Sequence, residues 1–321
     1  MLDARHALAV VILPPLAGCG SASAHPACAT PADGGPAVLV TGGAGAQAIV
    51  VDATNAYWIE LGEVLSQGPG APGGGEVLQC AKCSCDHPTI LASNETVNRS
   101  GIAVDATSVY WTNGDVMRVP IGGGEAVALA VAQTRGPIAV DTTSVYWADA
   151  NGLMKVPITG GHAITVVPRD DVTAIAVDAK HVYYAAGNGV FEVGLGGGPP
   201  KQLGQASSPQ SVAVDSASVY WTDNGGPVPG NATLMKVAIA GGKPVMLASG
   251  FVDPFALAVD ATSAYWTGNN EVMKVPIAGG SVTTLVRPDA TDSLFGVAVD
   301  ETSVYWTNAL GSPVVMKRTP K

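Results

Sequence analysis

Carboxylates, cysteines and histidines are the residues here that could do chemistry, and their spacing decides which chemistry. An Asp recurs at 52, 105, 141, 178, 215, 260 and 300. A hard cation needs several oxygen ligands from one place. Each of these Asp residues stands alone before small polar residues, as in Asp105-Ala106-Thr107-Ser108, so turn capping is the role the sequence supports. Cys80, Cys83 and Cys85 precede His87 in CAKCSCDH and offer a Cys3His set to zinc. No second Cys-x2-Cys accompanies it, and with Cys28 the same residues can make two disulfides, the expected outcome for an exported chain. Cys80 and Cys85 flank a turn and can bridge it, leaving Cys83 for Cys28, although spacing does not fix the pairing. No metal site, cofactor or catalytic residue is expected. Of the five His, His6 and His25 precede the repeats, and His87, His162 and His181 fall beside turns of one kind of face. No Gly-x-Ser-x-Gly elbow, P-loop or His-Glu-x-x-His is present.

The elements that must position these residues follow from internal repetition. Seven related segments run IVVDATNAYW, IAVDATSVYW, IAVDTTSVYW, IAVDAKHVYY, VAVDSASVYW, LAVDATSAYW and VAVDETSVYW. Each supplies an apolar run, an Asp turn, and a β-branched and aromatic run, then a hairpin turn such as Asn113-Gly114, a strand such as VMRVPI, a Gly-Gly turn and an outer strand. Four strands of about five residues with hairpins make one propeller blade. The predicted fold is therefore all-β: a seven-bladed β-propeller with four antiparallel strands per blade. The high Gly and Pro content, 40 and 23 residues, suits its many turns. All eight Tyr and all six Trp lie in the repeated motif, and Met117, Met154, Met235, Met273 and Met316 share one third-strand position. Such repetition marks them as core.

Departures from the repeat mark candidate recognition residues. Loops between second and third strands, and connections between blades, emerge on one face of a propeller, and loops on a rigid scaffold usually carry function. The second-to-third-strand loop is expanded at 62–75 and at 224–233. The connections carry the ligand-binding candidates Arg99, Arg135, Arg169, Asp170, Asp171, Phe251, Asp253, Phe255, Arg287, Asp289, Asp292 and Phe295. The three Phe stand out as aromatics outside the motif, and each could equally plug a gap between blades.

The run Val219-Tyr220-Trp221-Thr222-Asp223 and its relatives resemble the YWTD repeats of low-density-lipoprotein-receptor β-propellers and, more loosely, bacterial TolB-like and NHL-like propellers. The likeness covers nearly all of residues 36–321. The Asp-to-Trp spacing is shorter here, and seven copies stand where the YWTD family has six, so the resemblance implies fold and repeat layout and carries over no ligand site.

Residues 1–18 read as a signal peptide, with an apolar stretch too short to span a bilayer and broken by Pro14-Pro15. Leu16-Ala17-Gly18-Cys19 resembles the lipobox of bacterial lipoproteins, which implies lipidation at Cys19 and a membrane anchor. Gly20 in place of Asp implies the outer membrane of a Gram-negative envelope. Residues 19–35 read as a lipidated tether, and 36–321 as the propeller.

The formal net charge of −10 argues against nucleic acid as a partner. The expected function is a monomeric, membrane-anchored binding or scaffold propeller for an envelope protein, peptide or glycan. The alternative is a lyase or lactonase with a metal in the central channel. The final copy ends after its third strand, and Ala37–Thr41 matches the outer-strand pattern without a blade of its own. Ala37–Thr41 is therefore predicted to pair with Val314–Arg318 and close the ring.

Overall fold

A computed structural model describes residues 35–41, 45–61, 74–83, 85, 87–95, 101–134, 136–169, 171–226, 228, 230–287, 292–309 and 315–321. Among these, the chain forms seven four-stranded antiparallel sheets. Six are simple meanders in chain order from the innermost strand outward: Ala46–Val51 to Thr89–Glu95, Ile102–Val104 to Val127–Thr134, Ile138–Val140 to Ile164–Val167, Val172–Val177 to Lys201–Gln205, Pro209–Val214 to Val245–Phe251, and Leu257–Val259 to Thr283–Val286. The seventh joins Leu294–Val299, Val304–Asn308 and Val315–Arg318 to the N-terminal strand Ala37–Val40. The sheets are blades 1 to 7 of a closed β-propeller, and the innermost strands touch their neighbours all the way round.

Closure pairs Ala37 with Lys317, Val38 with Met316 and Val40 with Val315, as the sequence predicts; Val314 lies outside the described residues. The joint is reinforced beyond the strand pair. Lys82 of blade 1 reaches Asp300 of blade 7 at 2.7 Å, and Thr307 Oγ1 donates to the Gln47 carbonyl at 2.7 Å.

The Tyr-Trp dipeptide explains why the blades stack. Adjacent strand residues point to opposite faces of a sheet, so each dipeptide feeds both neighbouring interfaces. Every interface buries the Tyr of one blade with the Trp of the next: Tyr57 with Trp111, Tyr110 with Trp147, Tyr183 with Trp221, Tyr220 with Trp266, Tyr265 with Trp306 and Tyr305 with Trp58. Blade 4 substitutes Tyr184, which packs with Tyr146. All six Trp are at most 1% exposed, and burial of each contributes roughly 4 kcal/mol gross. The repeated Met residues lie directly opposite these rings, for example Met117 opposite Trp111 and Met235 opposite Trp221.

The repeated Asp is a cap in all seven copies, and it does more than the sequence implies. One carboxylate oxygen accepts the backbone N–H groups two and three residues on, at 2.6–2.9 Å. The other accepts the hydroxyl of the Tyr five residues on, at 2.7–2.9 Å. A single Asp thus fixes the first turn and satisfies the polar end of a buried Tyr. Burial, and then the neighbouring carboxylate, pushes these Tyr hydroxyls far above their usual range.

Candidate functional site

The connections between blades and the second hairpins share one rim of the ring, and the Asp turns share the other. On the connection rim, a pocket of about 480 Å³ opens between blades 6 and 7. Its walls are Val252, Asp253 and Phe255 from the connection into blade 6, Asp292 and Ser293 from the connection into blade 7 with Leu294 at the start of its inner strand, and Asn269 and Asn270 between them.

The Asn pair is the keystone. It occupies a two-residue hairpin turn between Ser263–Gly268 and Glu271–Pro276, with φ of +54° and +56°. Such a turn requires left-handed backbone at both positions, which Asn tolerates better than most residues. Gly would adopt it more easily, but Asn adds side chains that grip both walls. Asn269 Oδ1 accepts the Val252 N–H at 2.6 Å, and the Asn269 N–H donates to the Val252 carbonyl at 2.9 Å. Asn270 Oδ1 accepts the Leu294 N–H at 3.0 Å, and its Nδ2 donates to the Asp292 carbonyl at 3.0 Å. Asp253 is left-handed too, at φ +45°. The pocket is thereby held in shape before any ligand arrives.

Phe255 and Phe295 stand at equivalent positions, five residues before Asp260 and Asp300. Their half-buried rings stack at 4.8 Å with a 30° tilt across the blade 6–7 boundary. Thr267 fixes this boundary by accepting the Ala256 N–H at 3.2 Å and donating to the Phe295 carbonyl at 2.6 Å. Asp292 Oδ1 accepts the Asn308 amide at 2.5 Å. Asp253 is exposed, with no hydrogen bond or ion pair among the described residues.

The remaining sequence candidates are placed differently. Phe251 is 3% exposed and packs on Trp266 at 5.3 Å, so its ring plugs the blade 5–6 interface and is not offered to a ligand. Arg169 forms a two-point pair with Asp171, at 2.5 and 2.9 Å, and lies over the Phe191 ring at 5.1 Å. That pairing lowers the Asp171 pKa below the ordinary carboxylate value. Arg287 pairs with Glu271 at 2.8 Å. Arg99, Arg135, Asp170 and Asp289 lie outside the described residues, as do Cys19, Cys28 and most of the expanded 62–75 loop. The connections thus bring Asp253, Phe255, Asp292 and Phe295 together and leave the Arg169–Asp171 pair on a separate blade. Asn269, Asn270 and Asn308 escape the sequence reading. The usable signal was an Asn-Asn turn where sister copies carry Asn113-Gly114 and Asn151-Gly152.

Cys80 and Cys85 are joined in a disulfide, with their Cα atoms 5.6 Å apart, and Cys83 is also disulfide-bonded. All three described thiols are therefore spent, which removes the Cys3His zinc option. A partnership of Cys83 with Cys28 falls on the tether, outside the described residues. No group of three or more His, Cys, Asp or Glu among the described residues is arranged to hold a metal. At the inner-strand position of Phe255 and Phe295, the other described copies carry Gln47, Gly136, Thr173 and Gln210.

Fold and site together define a β-propeller with a structured pocket on its connection rim. No family model matches the chain, and no curated protein matches it either. Solved structures share the ring. A chain of the nidogen/laminin complex aligns with TM-score 0.57 and 17% identity, over 79% of this chain and 96% of its own. The WD40 propeller domain of Doa1 aligns with TM-score 0.66 and 11% identity, over 89% and 97%. A gluconolactonase from Xanthomonas campestris aligns with TM-score 0.53 and 13% identity, over 70% and 88%. At these identities the likeness is one of fold. Binding proteins and enzymes both occur on it.

Proposed function

We propose that the protein is a lipid-anchored binding propeller of the bacterial cell envelope. Its connection rim presents the blade 6–7 pocket to an envelope protein, peptide or glycan. The observation that carries this reading is the convergence of Asp253, Phe255 and Asp292, all outside the repeated motif, on a pocket whose two walls are tied to one Asn-Asn turn. The disulfide at Cys80–Cys85 supports export, because such bonds persist in oxidising compartments. The lipobox-like Leu16-Ala17-Gly18-Cys19 supports the anchor and Gly20 supports the outer membrane. The protein is proposed to work as a monomer, with no nucleic acid among its partners.

Cross-linking and pull-down from the native envelope test the reading. The comparison is wild type against the double variant Asp253→Lys/Asp292→Lys, with Glu301→Lys on the opposite rim as control. Loss of the same partners in the double variant alone is the expected result; retention of all partners would remove the pocket from the function. Cys19→Ala is expected to move the protein from the membrane to the soluble fraction, and unchanged fractionation would refute the anchor.

A further inference from the structure

The pocket's hydrogen-bonding inventory says what kind of group it takes. Several of its backbone donors are already used inside the wall. The N–H groups of Val252 and Leu294 go to the Asn269 and Asn270 side chains, that of Ser293 to Asn308 at 2.9 Å, and that of Phe255 to the Thr267 carbonyl at 3.0 Å. The Asn270 amide is used on the Asp292 carbonyl. The acceptors are not used up in the same way. Among the described residues Asp253 accepts nothing, Asp292 receives a single side-chain bond, and no ion pair reaches either carboxylate. A sugar hydroxyl both donates and accepts, and an anion only accepts. Ammonium and guanidinium groups only donate.

The wall adds a second, independent selection. Phe255, half-buried and backed by Phe295, lines the same pocket as the two carboxylates. An aromatic ring beside carboxylates favours an organic cation, whose charge is attracted to the ring and whose methylenes pack against it. The charge layout of the ring points the same way. Among the described residues, every Lys, together with Arg118 and Arg318, belongs to third or outer strands, the turns of the opposite rim or the C-terminal tail. The described basic residues of the connection rim are Arg169 and Arg287, each paired with a carboxylate. Among the described residues, the rim beside the pocket therefore offers a cationic ligand carboxylates with no basic partner.

Resting on the pocket reading above, we infer that the blade 6–7 pocket binds an alkylammonium or guanidinium group through Asp253, Asp292 and the Phe255 ring. The group arrives as a Lys or Arg side chain of a basic peptide or as a free amine. Carboxylate oxygens supply the charge-assisted bonds, and the Asn-Asn turn keeps both walls at a fixed separation.

Calorimetric titration of the folded protein with pentalysine, penta(acetyl-lysine), maltopentaose and agmatine tests this at low and high salt. Saturable binding of pentalysine or agmatine is expected, weakened about tenfold by Asp253→Asn or Asp292→Asn and about threefold by Phe255→Leu. Glu301→Gln, an exposed carboxylate on the opposite rim, is expected to leave it unchanged. Affinity should fall with salt. Agmatine binding as well as pentalysine assigns the source to free amines; pentalysine alone assigns it to peptides. Equal weakening by Glu301→Gln would reduce the effect to general acidity and overturn the inference. Binding of maltopentaose or the acetylated peptide that depends on Asp253 would overturn the cation and keep the pocket. Absence of any binding sensitive to Asp253, Asp292 or Phe255 would overturn the inference, and the envelope pull-down then decides the pocket separately.

Discussion

On the rim of Asp turns, seven carboxylates accept the same three hydrogen bonds, whereas on the connection rim the partners change from blade to blade. The contrast is sharpest at the buried Trp rings. Trp58 donates to Glu60 at 2.7 Å, Trp111 to Glu95 at 3.1 Å and Trp147 to Asp149 at 2.9 Å. The indole N–H groups of Trp221 and Trp266 are buried with no partner among the described residues. At the position of Glu60 and Asp149, blade 6 has Gly268. Blade 6 has no carboxylate at that position beneath the rim, while its entry connection places Asp253 in the pocket. Repetition supports the ring, and departures from it shape the candidate pocket.

Experiments that break the comparison can be ordered by expected effect. Deleting residues 36–41 removes the closing strand and leaves a three-stranded blade with an open edge. Thermal unfolding should fall by more than about 10 °C, and an unchanged midpoint would refute the closure. Asp105→Ala should cost on the order of 3 kcal/mol, because it leaves two backbone donors and the Tyr110 hydroxyl without their acceptor. Asp253→Ala should stay within about 0.5 kcal/mol by the same denaturant titration. Equal costs at the two positions would erase the distinction between the rims.

Acid should weaken the ring near its joint. Burial alone would raise the carboxyls of Asp260 and Asp300. Hydrogen bonds from Lys321 and Thr262 outweigh it at Asp260, and from Lys82 and Thr302 at Asp300, holding both at about 2. These groups are more acidic folded than unfolded, so their stabilisation is complete above pH about 4 and lost as pH falls towards 2. Each contributes on the order of 2 kcal/mol. In Lys82→Met the loss assigned to Asp300 should shrink; an identical acid profile would contradict the assignment.

Alkali gives the opposite sign. All eight tyrosines have raised pKa values, burial first among the causes. Stability should hold below pH about 10 and decline above it, as the unfolded chain ionises first. Tyrosinate absorbance should stay flat through pH 10 and then rise together with unfolding. A gradual rise at pH 10 in the folded protein would contradict the Asp–Tyr pairing.

Much of the ring was legible because it is written seven times. The blade count, the core role of Tyr and Trp, the packing of Met against that core, and the borrowed strand at Ala37–Val40 all follow from period and alternation. The Tyr hydroxyl bonded to the Asp five residues earlier was not legible, since it depends on where a hairpin returns the ring. The site was legible only as a face. Sequence marked Phe251 and Phe255 alike, yet one falls at the end of an outer strand and turns into the core, and the other sits before an inner strand at a half-open boundary. Asn269 and Asn270 were hidden because a turn residue looks the same whether its side chain faces solvent or grips two neighbouring connections.

The central claim is that the connection rim at blades 6 and 7 is where the protein meets its ligand. Hydrogen–deuterium exchange of the folded protein, with and without pentalysine, tests it most directly. The account predicts slowed exchange confined to 252–255, 269–270 and 292–294, with the Asp turns around 105–108 and 215–218 unchanged. Protection spread evenly over both rims, or concentrated at the Asp turns, would contradict it.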